Sequence, residues 1–317
     1  MTEPTGPPRL ATSTELKRLI DLVAAGNPLQ RKRIEAFVRA QDDDYWDFAE
    51  GLSRTLSHSF LASDAARHEA ARAYNRMCME ILREQIRFKK TGTYLIDNAP
   101  TAYEQVYSQH DRMRSYIVGL LLSYLFWPNH YRLFKYYRET LRRSTAARYL
   151  EVGAGHGLFA AEAMARLPDL DATVVDISDS SLGIAREMLA TFAVDASRVR
   201  FVRDDFLKLD PSGADDRGYD LIVMGEVLEH VNQAPEFMAK ARALLSDGGR
   251  IFMTTCANCP AVDHVYRFHT VEEIVALVRG AGLRVVDDLA IPAEDVPRER
   301  WLEELVTINY ASVLASE

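Results

Sequence analysis

From Ala147 onward the chain alternates short β-rich runs with amphipathic stretches, and no other feature restricts the fold as tightly. The runs are RYLEVG, ATVVDI, RVRFVR, YDLIVMG, GRIFMTT, LRVVDDLAI and LVTINYASVL. Strand–helix alternation of this kind predicts a parallel sheet covered by helices on both faces. The last two runs depart from the rule, because only the Pro-containing acidic connection PAEDVPRERWLEE separates Ile291 from Leu305. That length is short for a crossover helix, so a hairpin is expected to place one antiparallel strand in the sheet. The expected fold class is α/β, a mostly parallel seven-stranded sheet with an antiparallel C-terminal strand.

Before Ala147 the pattern is helical. Helices are expected at about 12–25, 28–40, 44–58, 64–89, 101–126 and 129–143 from periodicity and from start and stop signals. Thr12 with Glu15 is a candidate capping box, Gly26 a candidate stop, and Asn27-Pro28 reads as a cap followed by a first-turn proline. The Asp42–Asp44 run reads as a solvated helix start. Charge and glycine mark the same change of character: residues 1–143 carry a net +5 and five glycines, residues 144–317 a net −13 and eleven. The chain is therefore divided into an N-terminal all-helical cap domain, residues 1–143, and a second domain, residues 144–317. The helical part is also the expected place for a homodimer interface.

Several classes are set aside by composition. The longest apolar run, YIVGLLLSYLFW from Tyr116 to Trp127, falls short of the ~18 residues of a membrane span and reads as a buried helix. The N-terminus MTEPTGPPRL lacks the pattern of an export or transit signal, so the cytoplasm is the expected location and no membrane partner is expected. Three cysteines, Cys78, Cys256 and Cys259, are too few for a disulfide framework. The acidic second half opposes binding to a phosphate backbone, and the basic residues of the first half are scattered among acids, so no nucleic acid is expected.

The most informative segment is EVGAGHG, Glu151 to Gly157, between the first strand and a helix beginning near Leu158. Glycines there let the backbone turn tightly and approach a ligand, and the helix N-terminus favours negative charge. A dinucleotide fingerprint starting at Gly153 needs its third glycine at position 158, which is Leu158. The pattern is instead G-x-G-x-G preceded by an acid. With it, the sequence resembles the class I S-adenosylmethionine (SAM) dependent methyltransferases, whose first motif is typically E/D-x-G-x-G-x-G. The resemblance covers about residues 147–315 and implies a Rossmann-like sheet, SAM as cofactor and S-adenosylhomocysteine (SAH) as product.

It also implies roles for residues that follow in the family's order. Glu151, Gly153, Ala154, Gly155 and Gly157 form the cofactor loop. Asp176, followed by Ile177, matches the acid that accepts hydrogen bonds from both ribose hydroxyls. Asp205 and Phe206 match the acid that binds the adenine amino group and the neighbour packing on its ring, with Asp204 an adjacent candidate. Glu226 to His230 match the E-V-L-E-H variant of the next motif, Glu226 and Val227 facing the cofactor edge.

Methyl transfer from a sulfonium is an in-line displacement, for which a protein positions the nucleophile, excludes water and, for a hydroxyl acceptor, removes a proton. His230 is the best single base candidate, at the carboxyl edge of the sheet where open α/β folds bind ligands. Its competing reading is a capping or packing histidine. Glu229 is a candidate to orient the imidazole or bind a substrate cation. After the fifth strand, Asp263, His264, Tyr266, Arg267, Phe268 and His269 stand where related enzymes place acceptor-binding residues, with His264 a catalytic candidate, His269 reading as structural and Thr270 capping the next helix. Tyr131 and His130 are candidates to reach the methionine end of SAM or the acceptor. Cys256-x-x-Cys259 cannot complete a four-ligand metal site alone, and no second pair exists. Glu229, His230 and His264 are one further combination, a two-histidine, one-carboxylate set of the kind used by some methyltransferases acting on α-keto acids.

These readings converge on methyl transfer from SAM to a small organic acceptor, oxygen ahead of nitrogen or carbon, in specialised metabolism. The alternatives are metal-assisted C-methylation of an α-keto acid, a SAM-binding partner protein without catalysis, and, least favoured, a nicotinamide-dependent oxidoreductase.

Overall fold

The computed structural model describes residues 14–104, 109–209 and 217–317. The chain forms two compact units, Met1–Met79 with Ser115–Tyr131, and Glu80–Arg114 with Arg132–Glu317. Among the described residues, seven helices come first: α1 (Thr14–Gly26), α2 (Pro28–Arg39), α3 (Asp43–Leu56), α4 (Asp64–Thr91), α5 (Ala99–Ala102), α6 (His110–Phe126) and α7 (Pro128–Arg142).

In α1, Leu16, Leu19, Ile20 and Val23 repeat at helical spacing and are buried. Helix α1 ends at the expected Gly26, whereas Thr12 of the expected capping box lies outside the described residues. Asp42 caps α3, its Oδ1 accepting the Tyr45 N–H at 3.0 Å. Tyr45 is buried, and its hydroxyl donates to the Leu125 carbonyl at 2.7 Å. A Cβ on Gly119 would lie 3.0 Å from the Ala73 carbonyl oxygen, so only glycine lets α6 approach α4 this closely.

The expected helix over 101–126 is two pieces. Asn98 starts α5 by accepting the Thr101 N–H at 2.9 Å, Gln109 is non-helical, and α6 begins at the next residue. The units also differ from a division at residue 143, since residues 80–114 and 132–143 group with the sheet. The reason is packing. Phe134 and Tyr137 of α7 place their rings 5.4 and 4.8 Å from Phe159, and Tyr137 lies 4.9 Å from Phe252, in the core of the second unit.

That second unit continues as β1 (Arg148–Val152), α8 (Leu158–Arg166), β2 (Asp171–Asp176), α9 (Asp179–Thr191), β3 (Val199–Arg203), β4 (Tyr219–Gly225), α10 (Ala234–Leu244), β5 (Leu245–Ala257), α11 (Val271–Gly280), β6 (Leu283–Pro292) and β7 (Ile308–Ser316). The seven strands lie in the order β3-β2-β1-β4-β5-β7-β6. β7 runs antiparallel to both β5 and β6, and the β1–β5 pairings are parallel. The connection from β6 to β7 holds only a short helical turn at Arg298–Arg300, with the Trp301 indole N–H donating to the Val296 carbonyl, so the expected hairpin is present.

Val152 at the end of β1 pairs with Val175 on one side and Met224 on the other. The chain leaves β1 toward β2 and β3, then returns to β4 on the opposite side. This reversal opens a crevice at the carboxyl ends of β1 and β4, the place where open α/β sheets bind ligands.

Candidate active site

One wall of the crevice is the loop after β1. Gly153, Gly155 and Gly157 have φ of +78°, +48° and +72°, the region that strains any side chain. They differ in what surrounds them. A Cβ on Gly157 would stand 2.7 Å from the Ala185 Cα of α9, whereas one on Gly155 would meet nothing within 4 Å. Gly157 is therefore a packing glycine and Gly155 an opening in the protein surface. Gly157 supplies no side-chain cap to α8, and His156 Nδ1 accepts the Leu158 N–H at 3.1 Å instead.

Asp176, at the end of β2, holds this loop. Its Oδ2 accepts the Ala154 N–H at 2.8 Å and its Oδ1 the Ser178 N–H at 2.7 Å. Burial pushes its carboxyl up to about 6 despite those bonds. Ile177 beside it is an exposed apolar side chain, 44% accessible. Glu151 is buried and pushed up to about 8, chiefly by desolvation; it accepts the Tyr149 hydroxyl at 2.6 Å and the Ala160 N–H, with the Asp176 carboxylate nearby. Asp205 caps a helical turn at Phe206–Lys208 by accepting the Leu207 N–H at 3.0 Å, and Asp204 accepts the Asp205 N–H at 2.8 Å. Phe206 is 3% exposed and packs on Phe237 at 5.3 Å.

The opposite wall starts after β4. Glu226 has φ of +53°, an uncommon conformation for a side-chain-bearing residue, and its N–H donates to both the carbonyl and the Oγ1 of Thr254. Val227 is buried and would lie 3.0 Å from a Cβ on Gly153, which joins the two loops. Glu229 is fully buried; its Oε2 accepts the Thr255 hydroxyl at 2.8 Å while its Oε1 has no hydrogen-bond partner. Burial first, then the Glu226 charge, raises the Glu229 carboxyl well above the usual range.

The group beside the His230 ring is Asp263. His230 Nδ1 stands 3.2 Å from the Asp263 carbonyl and 3.5 Å from its Oδ2, in a side chain that is 1% exposed. The ring of His264 meets that of His230 edge-on, 4.7 Å between centroids at 88°. Burial, aided by His230, lowers His264 to about 4, so it is neutral at physiological pH. Its Nδ1 lies 2.7 Å from the Cys259 carbonyl. Glu229, His230 and His264 thus come together, one candidate ligand atom from each lying within 4.8 Å of the others.

Tyr94, which carries no signal in the sequence, belongs to this wall: its hydroxyl accepts the Cys259 N–H at 3.0 Å and its ring lies 6.1 Å from His264. Other candidates have structural partners. Arg267 donates to Asn258 Oδ1 and to the Gly92 carbonyl and lies over the Phe88 ring. His269 Nδ1 stands 3.1 Å from Glu273, and Thr270 caps α11. Tyr131 is buried in the first unit, stacked on Phe48 at 5.7 Å and edge-on to Tyr45 at 5.0 Å; His130 there contacts the Ser123 hydroxyl at 2.6 Å. A separate cleft lined by Arg143, Asp220, Asp247 and Arg250 opens at the amino ends of β4 and β5 and holds none of the candidate residues.

Comparison with known proteins agrees with this geometry. The family model described as a methyltransferase domain matches residues 150–251. A ubiquinone biosynthesis O-methyltransferase from Xanthomonas euvesicatoria pv. vesicatoria (strain 85-10) is 28% identical over 194 residues, 55% of this chain and 78% of that protein. An O-methyltransferase family protein from Burkholderia thailandensis superposes with TM-score 0.52 at 17% identity, covering 98% of each chain. The N-methyltransferase NodS from Bradyrhizobium japonicum WM9, solved with SAH, gives TM-score 0.50 at 17% identity, over 69% of this chain and 99% of that one. No helix among the described residues is long and apolar enough to cross a membrane. With the glycine loop and the acid after β2 at a switch point of the sheet, this chain carries a methyltransferase domain and has the class I SAM-dependent methyltransferase fold.

Proposed function

We propose that this SAM-dependent methyltransferase methylates an oxygen of a small organic acceptor, with His230 taking the acceptor's proton. The observation that carries the reading is the meeting of two walls at one switch point, the positive-φ glycine loop between Glu151 and Asp176, and the Glu226–His230 segment with its His264 neighbour. The residues present fit the cofactor. Gly155 leaves open space, Asp176 and Asp205 offer carboxylates for ribose and adenine, Ile177 offers an apolar face, and Glu151 is a buried carboxyl suited to a cationic ligand. When bound, SAM supplies a methyl group already activated on a sulfonium.

The protein's own task is then to hold the acceptor in line, exclude water and move one proton. His230 is suited to the last step because Asp263 lies at Nδ1, where its carbonyl and carboxylate orient the imidazole. An O-methyltransferase among the relatives supports oxygen as the target, and the small-molecule substrate implied by its name supports an acceptor of that class. Self-association through the helical residues is part of this reading and is checked by light scattering. The central test is incubation with methyl-labelled SAM and a panel of phenols, catechols and hydroxy acids. Label transfer with SAH release is expected; transfer only to amine or carbon acceptors overturns the choice of oxygen.

A second reading is metal-assisted transfer, including C-methylation of an α-keto acid. The approach of Glu229, His230 and His264 favours it. Full activity after metal stripping, unchanged by added ions, rejects it.

A further inference from the structure

β5 ends at Ala257, and the chain then turns at Asn258, whose φ is +48°. The turn returns Cys259 toward Cys256, and His264 follows. One candidate ligand atom from each of Cys256, Cys259 and His264 lies within 4.8 Å of the others. Cys256 is 0% and His264 6% exposed, and Cys256 Sγ is 3.9 Å from His264 Nδ1. Glu229 borders this group: it shares one set of mutually close ligand atoms with Cys256 and another with His264, and none with Cys259. Its Oε1, like Glu226 Oε1, is a buried carboxyl oxygen that no hydrogen bond satisfies.

We propose that Cys256, Cys259 and His264 form a binding site for one zinc-class divalent cation. Two sulfurs and an imidazole nitrogen are zinc ligands, whereas magnesium and calcium take oxygen. Bond lengths of ~2.3 Å to sulfur and ~2.05 Å to nitrogen place neighbouring S and N about 3.6 Å apart in a tetrahedral site. The observed 3.9 Å therefore closes with a shift of a few tenths of an ångström. The two thiols release their protons as the bonds form, and the imidazole proton passes from Nδ1 to Nε2 as Nδ1 exchanges its hydrogen bond to the Cys259 carbonyl for the ion. Tyr94 already holds the backbone of Cys259 through its N–H.

Three ligands from the protein leave the fourth position to water or to the Glu229 carboxylate beside Cys256. The ion ties the end of β5 to the turn that follows it, fixing this part of the acceptor wall. His264 serves this ion through Nδ1, so occupancy withdraws its ring from the set it shares with Glu229 and His230. The inference does not depend on the acceptor or on methyl transfer.

Chelator-treated protein is titrated with Co²⁺, without SAM, and read by absorption. The expected result is one ion per chain, a sulfur-to-cobalt charge-transfer band in the near ultraviolet, intense visible bands of tetrahedral cobalt, and displacement of both by Zn²⁺. Cys256→Ser with Cys259→Ser should lose the charge-transfer band and weaken binding by more than the roughly 100-fold that loss of an outer partner costs. Circular dichroism checks that this variant is folded; if it is not, the wild-type spectrum decides. Binding without charge transfer assigns the ion to nitrogen and oxygen ligands and overturns the proposal. Absence of Co²⁺ and Zn²⁺ binding overturns it equally.

Discussion

Replacing Glu151 by Gln tests the electrostatics of the cofactor wall in the free protein. Glu151 is buried, and desolvation holds its carboxyl at about 8, against 4.5 when exposed. The folded state therefore keeps a proton that the unfolded chain releases, and stability present below pH 4.5 is lost as pH rises through 8. At about 1.36 kcal/mol per pH unit, ionising the group in place costs about 5 kcal/mol, as a ceiling. Gln preserves the acceptor for the Tyr149 hydroxyl, carries no charge and is nearly isosteric. Thermal or urea unfolding of both proteins from pH 4 to pH 9 should give curves that coincide at the acid end. They should diverge progressively from about pH 4.5 and keep a constant gap above about pH 8, with Glu151→Gln the more stable by several kcal/mol at pH 9. SAM, a cation at its sulfur, should narrow the gap by pairing with ionised Glu151, and it should bind the variant less tightly. Parallel pH profiles for the two proteins, or a variant less stable at pH 9, would refute the reasoning.

Other substitutions separate packing from binding. Gly155→Ala meets open space, so melting should register only the roughly 1–2 kcal/mol of left-handed backbone strain, while SAH titration should show a large loss of affinity. Gly157→Ala collides with the backbone of Ala185 and should cost about 2–5 kcal/mol of stability from strain and overpacking together; a melt equal to that of Gly155→Ala contradicts this. Asp176 should accept ribose hydrogen bonds only when ionised, so SAH affinity should fall as pH drops through about 6, and Asp176→Asn should bind weakly with no such step. His230→Ala should lower kcat by about 10²–10⁴ with SAH affinity preserved, and undiminished turnover removes it as the base.

The sheet was legible in the sequence because each strand is a short run of β-branched and aromatic residues bounded by a glycine, acid or proline. The hairpin was legible for a different reason: the thirteen Pro-containing residues between the last two runs are short for a crossover helix. Helix ends read well where the cap is local, as at Asp42 and Thr270, whose side chains accept N–H groups three residues on. The split between α5 and α6 did not, because helical periodicity continues across it. Nor did the unit boundary, because Phe134 and Tyr137 look like any helical core until Phe159 and Phe252 are found beneath them. In the site, the motif residues carry their own spacing signal. Asp263 beside His230, Tyr94 beside Cys259 and Glu229 beside Cys256 do not, since these neighbours come from separate elements and no local pattern pairs them. Counting cysteine pairs overlooked His264, which the fold brings to Cys256 and Cys259.

The account stands most directly on what fills the crevice between Gly155 and His230. Calorimetric titration of the purified chain with SAM, SAH and NAD measures this. Saturable binding of the two adenosyl compounds, one per chain, with no heat from NAD, is the predicted result. Binding of NAD alone, or no binding of SAM and SAH, contradicts the account.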